Sequence, residues 1–175
     1  MAKDPVSRGA GDMFLMVKGA KHGLIKGEAL DQANKGAHKE EIEVLSWSWG
    51  MQARPSLGGG GASGKATVND LKIVKKVDSA STALMSALRT NEVIQKAVLT
   101  LRKAGDDPLE YLKITIEQGR VTGLTVEAGD SSGGADLLEH LSFSFNKITV
   151  DYVPQDKDGF AKGGMTYMDQ WGEGA

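Results

Sequence analysis

From Ile94 onward the chain follows the two-residue rhythm of β-strands, and that rhythm narrows what it can fold into. The run "AVLTL" sets Ala97, Leu99 and Leu101 against Lys96, Val98 and Thr100. "LEYLKITIE" puts Leu112, Ile114 and Ile116 on one side and Tyr111, Lys113, Thr115 and Glu117 on the other. Successive side chains of a strand point to opposite faces, so each run offers one face to a core and keeps one for something else. The short link at Gly119 predicts a hairpin between this run and "RVTGLTVEA". "HLSFSFNKITVDYV" reads as a long strand whose parity switches between Phe145 and Ile148, as a bulge or a sharp bend would make it.

The first half adds "MFLMV" from Met13, "LKIVKKV" and "EEIEVLSWSWGMQ" as further strands. In the last of these Ile42 and Val44 are even, whereas Leu45, Trp47 and Trp49 are odd, so either both faces are covered or the register resets near Val44 and Leu45. Trp47 and Trp49 then share one face, and Ser46 and Ser48 the other. One helix is expected, "SASTALMSALRT", with Asp78 or Ser79 as N-cap and Leu84 and Leu88 one turn apart. Residues 19–39 have little periodicity and read as a long loop; "ARPSLGGGGASGKAT" and "EAGDSSGGADLL" read as Gly-rich loops, and the tail as loop with a short strand at 165–168. Seven or eight strands and one helix predict a mainly-β fold, a barrel or a two-sheet sandwich. Residues 1–12 are expected to be a flexible arm, 13–171 a single domain and 172–175 a tail.

At 175 residues and 18.6 kDa the chain suffices for one domain with a sizeable core. It has no cysteine, which excludes disulfides, thiolate catalysis and Cys-based metal centres. A net charge of -2 gives no basic field, so nucleic acid is not an expected partner. Neither a signal-peptide core nor a run long enough to span a membrane is present, so membrane insertion is not expected. "GGGASGKA" fits G-x-x-x-x-G-K, but Ala66 stands where a phosphate loop needs Ser or Thr, and a strand follows where a helix is required. His22, His38 and His140 lack metal-ligand spacing; "HKEE" at 38–41 reads as a surface-loop histidine beside acids. No G-x-S-x-G elbow occurs, and turn chemistry accounts for Asp106 and Asp107 before Pro108. The expectation is a non-enzyme without cofactor or metal, whose polar strand faces, with residues such as Lys96, Thr100, Lys113, Thr115 and Ser142, meet solvent, a neighbour or a water-filled space.

Three separated motifs in order carry a resemblance: "EEIEVLSWSWG", then after a Gly-rich loop "RKAGDDPLEYLKI" at 102–114, and "VDYVPQDKDG" at 150–159. Over roughly residues 13–171 the chain resembles the haemolysin-coregulated protein family, the tube protein of bacterial type VI secretion. The resemblance implies a two-sheet β-barrel with one flanking α-helix, similar to phage tail tubes. It also implies homohexameric rings stacked into a tube, a contractile sheath and a VgrG-type spike protein as partners, and small secreted effectors carried in the lumen. The protein would be cytoplasmic before firing and extracellular afterwards, without a signal peptide. Trp47, Trp49, Gly50, Arg102, Lys103, Ala104, Gly105, Glu110, Tyr111, Tyr152 and Gln155 are the residues of the matching motifs, expected to be structural. Ser48, with Ser46, is expected to face the lumen and touch cargo. Leu24, Lys26, Glu28, Asp31 and Lys35 are candidates for ring-to-ring contact, although the 19–39 stretch and the arm before Met13 are longer than the family pattern. The alternatives are a phage-derived tail tube protein, a monomeric β-sandwich binding module and a P-loop enzyme.

Overall fold

A computed structural model describes residues 12–31, 36–53, 66–103, 108–129 and 136–172. Among them the chain forms β1 (Asp12–Gly19), β2 (Gly23–Ile25), β3 (Ile42–Glu43), β4 (Ser46–Ser48), β5 (Met51–Gln52), β6 (Thr67–Val68), β7 (Leu71–Lys76), α1 (Ser81–Arg89), β8 (Ile94–Arg102), β9 (Glu110–Gly129), β10 (Asp136–Ser144), β11 (Lys147–Tyr152) and β12 (Met165–Gln170). The fold is mainly β with one short helix. Seven or eight strands was too low because five of these twelve strands are only two or three residues long, too short to show a period. One of them, β2, folds back on β1 inside the stretch expected to be a plain loop.

Ten of the strands belong to one antiparallel ladder, and β9 divides it into two sheets. The first half of β9 pairs with β8 and β11, and beyond them lie β1, with β2 and β3 along its other side, and β12. The second half pairs with β10, followed by β7 and β4. The expected hairpin at Gly119 is therefore corrected: β9 runs on through this point as one twenty-residue strand. Gly119 faces Ile94 in the first sheet, and Arg120 already faces Ser144 in the second. A Cβ at Gly119 would strike the carbonyl of Ser144, so glycine serves a close backbone approach at the bend, not a turn.

The parity switch expected near Phe145 has the same origin. Ser144 pairs in the second sheet and Lys147 in the first, so Phe145 and Asn146 form the corner where the chain changes sheets. The Asn146 amide donates to the Glu117 carbonyl, and the Phe145 and Trp171 rings meet edge to face at 5.7 Å. The switch at Val44 and Leu45 is the corresponding crossing on the opposite side. Val44 N donates to Met13 O of the first sheet and Leu45 N to Val74 O of the second. Strand pairing among the described residues does not close the sheets into a barrel, which corrects that detail of the expectation: they share β9 on one side and are joined by residues 42–48 on the other.

Between the sheets Leu15, Val17, Leu99, Ile114, Ile116 and Ile148 pack against Leu71, Ile73, Leu141 and Phe143. Each fully buried aliphatic side chain contributes about 1.5–3 kcal/mol of transfer free energy. Helix α1 inserts Leu84 and Ala87 into this core, while Leu88 is only half-buried. The expected N-cap is also corrected: Ala80 holds that position without a side-chain cap bond. Asp78 instead accepts from the Ala80 amide, and the Asp78 amide donates to Ser81 Oγ. Under the helix start, buried Lys75 donates to Asp78 Oδ1 at 2.7 Å and to Ser81 Oγ at 3.0 Å. It is also the counter-charge of Glu139, a fully buried carboxylate 3.5 Å away. No described helix is long and apolar enough to cross a membrane.

Candidate functional site

The outer face of the second sheet is assembled by register. One row runs Ser46, Val74, His140, Thr125, and the next Ser48, Lys72, Ser142, Gly123. Ser46 and Ser48 are exposed on it, whereas Trp47 and Trp49 are half-buried against the core, as the alternation in "SWSW" predicts. These rows line a shallow depression of about 460 Å³. Its floor is low where Ser46, Ser48 and Ser142 are short, and Gly123 carries no side chain where a Cβ would lie 2.5 Å from Ser142 Oγ. Polar contacts edge it: His140 Nε2 lies 2.8 Å from Glu127 Oε1, and Thr122 Oγ1 donates to Asp70 at 2.6 Å. Such a surface can receive a polar or small apolar group.

The other motif residues meet elsewhere. Lys103 Nζ donates to Gln155 Oε1 at 2.7 Å and lies 5.4 Å from the Tyr111 ring centre, while the Val153 amide donates to the Tyr111 carbonyl. The second and third sequence motifs are thus two sides of one corner, whereas Tyr152 is exposed beside it. Gly50 accepts from the Asn69 amide next to the β5–β6 pair. Ala104, Gly105 and Lys35 lie outside the described residues, as does most of the "GGGASGKA" loop. Thr67–Val68 after that loop is a strand, as expected.

Arg102 is 1 % exposed and reaches two carboxylates: Nη2 donates to Asp12 at 2.6 Å, and Nη1 is 2.7 Å from Asp31 Oδ1 at an angle too bent for a hydrogen bond. Burial works against the Asp31 charge, but the His38 amide and Arg102 outweigh it and hold the carboxyl below its usual range. Asp31 is therefore buried and turned inward, unlike the exposed Leu24 and the ion-paired Lys26, which lies 3.2 Å from Glu40. Glu28 accepts from the Ser79 amide. At the β1–β2 turn, buried Glu92 accepts from the amides of Lys21 and His22 and contacts the His22 ring at 2.6 Å. Those bonds override burial and lower its pKa.

His38 overturns the surface-loop reading. It is buried, stacks on Phe14 at 4.7 Å and contacts both Glu41 and Glu110. Thr100, expected on an open face, is buried as well. Strand alternation could have flagged Lys72, Gly123, Glu127 and His140, because each shares register parity with Ser46 and Ser48. Nothing local could have joined His38 to Glu110, which is 72 positions away.

The family described as "Type VI secretion system effector, Hcp" matches residues 14–152. The chain belongs to the Hcp family. Protein hcp1 of Pseudomonas aeruginosa is 40% identical over 156 residues, 87% of this chain and 90% of that protein. Hcp1 from Salmonella typhimurium superposes with a TM-score of 0.69 at 32% identity, covering 92% of this chain and 95% of the other. A protein described as a type six secretion system protein superposes at 0.77 with 26% identity, covering 92% and 96%. The matched residues include the open face and Arg102.

Proposed function

We propose that this Hcp protein is a structural subunit of the type VI secretion inner tube, forming hexameric rings that stack inside a contractile sheath behind a spike protein. Sheath contraction would move it from the cytoplasm to the exterior, with small effectors held in the ring lumen by the outer face of the second sheet. The observation that carries the carrier role is that face: exposed Ser46 and Ser48, the side-chain-free Gly123 and a depression of about 460 Å³. Short polar side chains let cargo dock without strong adhesion. Subunit contact is supported by β12, an edge strand exposed along its length that presents Met165, Tyr167 and Met168. A ring uses two different patches per subunit, and closure limits its size.

Electron micrographs of the purified protein should show rings of about six times the monomer mass. A stable monomer at high concentration would overturn the reading. Replacing the exposed Leu24 and Leu30 by Glu should leave rings but abolish tubes, and unchanged tubes would remove this stretch from the stacking contact.

A further inference from the structure

His38 sits where only one protonation state satisfies its surroundings. Its Nδ1 is 2.9 Å from Glu41 Oε2 and its Nε2 is 2.8 Å from Glu110 Oε1. A neutral imidazole has one N–H, so one carboxylate would then face a ring lone pair; the imidazolium donates to both. At 8 % exposure the residue has little access to water that could repair the mismatch. His38 lays residues 36–41 over Phe14 of the first sheet as a cover; Glu41 belongs to that stretch and Glu110 to β9, so the charged ring bridges cover and sheet. The covering legs are also laced to each other, with Gly27 N donating to Glu40 O, Ala29 N to Glu41 O and Glu40 N to Ala29 O.

We propose that protonation of His38 sets how firmly residues 36–41, with the 26–31 leg hydrogen-bonded to them, dock on the outer face of the first sheet, where His38 stacks on Phe14 and Asp31 meets Arg102, the imidazolium bridging Glu41 and Glu110 when docked. The charged groups around it are Glu41 and Asp31 on its own stretch and Glu110 on β9, with Lys113 3.3 Å behind Glu110. Across the Phe14 ring, Arg102 of β8 is paired with Asp12 of β1. Burial opposes the histidine charge, but the bonds to Glu110 and Glu41 outweigh it and raise its pKa above the ordinary value. A raised histidine pKa gives stability that is complete below the ordinary value of about 6.5 and lost as pH rises through the folded value. Glu110 is lowered, burial being outweighed by His38 and Lys113, so its contribution is lost only well into acid. Glu41 opposes part of the gain, since burial raises its pKa despite the His38 bond. Docking is thus firmest at mildly acidic pH and loosens toward alkaline pH.

One consequence rests on the stacking role proposed above. Leu30 is 65 % exposed between buried Ala29 and Asp31, so the docked legs hold an apolar side chain outward.

Amide exchange of the full-length protein, corrected for intrinsic rates, tests the latch. Protection at Ala29 and Glu40 should fall at least about fivefold between about pH 6 and about pH 9, while the β8 amides stay unchanged. His38→Gln should remove this dependence. Glu110→Gln, which keeps the ring and its stacking, should lower the His38 titration point read by NMR and move the loss of protection to lower pH. Protection independent of pH in the wild type, or a His38 titration point at or below the ordinary value, overturns the proposal. Tube length measured by sedimentation over the same range should follow the protection. Constant tube length with changing protection overturns the stacking role of Leu30 and leaves the latch standing.

Discussion

The two sheets share one alternating strand grammar, yet their outer faces end differently. On the first, Phe14, Thr100 and Arg102 are buried, with His38 stacked on Phe14 and Asp31 against Arg102, and a cluster of charges ties that cover down. On the second, Ser46, Ser48, Lys72 and His140 remain open. A covered outer face must pair its charges within the subunit, because desolvated charge without a partner is costly. An open face carries no such demand, so its side chains are free to answer to contacts outside the subunit. The first face should therefore be sensitive to substitution in stability and the second in function.

The largest expected effect breaks the covered face. Arg102→Met fits similar volume but leaves Asp31 with its charge desolvated and, among the described residues, only the His38 amide as its side-chain partner. Removing one member of a buried ion cluster costs about 3–5 kcal/mol. Urea unfolding at fixed protein concentration, which holds any assembly term constant, should show it as a lower midpoint at an unchanged slope. A loss below about 1 kcal/mol would mean that apolar packing, not the charge cluster, holds the cover in place.

A smaller effect sharpens the same contrast through pH. Asp31 and Glu92 both have carboxyl pKa values held below the ordinary range despite burial. A lowered carboxyl pKa gives stability that is present above the ordinary value and lost as pH falls through the folded one. Stability should therefore decline on acidification below about pH 4, and the decline should be shallower in Arg102→Met, where the part of the Asp31 shift that Arg102 supplies is gone while the His38 amide bond stays. An identical decline in both proteins would locate the acid sensitivity away from Asp31.

Local physics decides how much of this is visible before folding. The strands from Ile94 onward are legible because one face is core and alternation is strict; Ala97, Leu99, Leu101, Ile114 and Ile116 are all buried as expected. The corners at Val44 and Phe145 show as parity breaks, because a strand that changes sheets must also change the side that faces the core. Gly119 misled because a glycine at a close approach and a glycine in a turn look alike in sequence. The Ser46–Ser48 face is legible for the same reason as the strands. The covered face is not, because its cover has no period and its partners are brought together from four separate stretches. Arg102 reads only as a structural motif residue, and His38 as a surface-loop residue, until Asp31 and Glu110 arrive beside them.

The smallest expected stability effect lies on the open face, and there a null result on folding is informative. Ser48 is exposed and pairs across to Lys72 through backbone alone, so Ser48→Gln removes no buried contact. Exposed substitutions of this kind change stability by about 0.5 kcal/mol or less. Gln is longer, however, and in the row Ser48, Lys72, Ser142, Gly123 it would fill the low floor that Gly123 and the two serines leave. Effector protection in cells should therefore fall several-fold while the unfolding midpoint and ring mass stay unchanged. Gly123→Ala sharpens the point from the opposite strand. Its new methyl meets only the end of the Ser142 side chain, which can rotate away, so it should shallow the depression with little cost to folding. If both variants fold and form rings but protect effectors as well as the wild type, cargo contact belongs to another face and the bare sheet needs a different explanation. If Ser48→Gln lowers the unfolding midpoint as much as Arg102→Met, the contrast between a covered face that serves the fold and an open face that serves a partner fails.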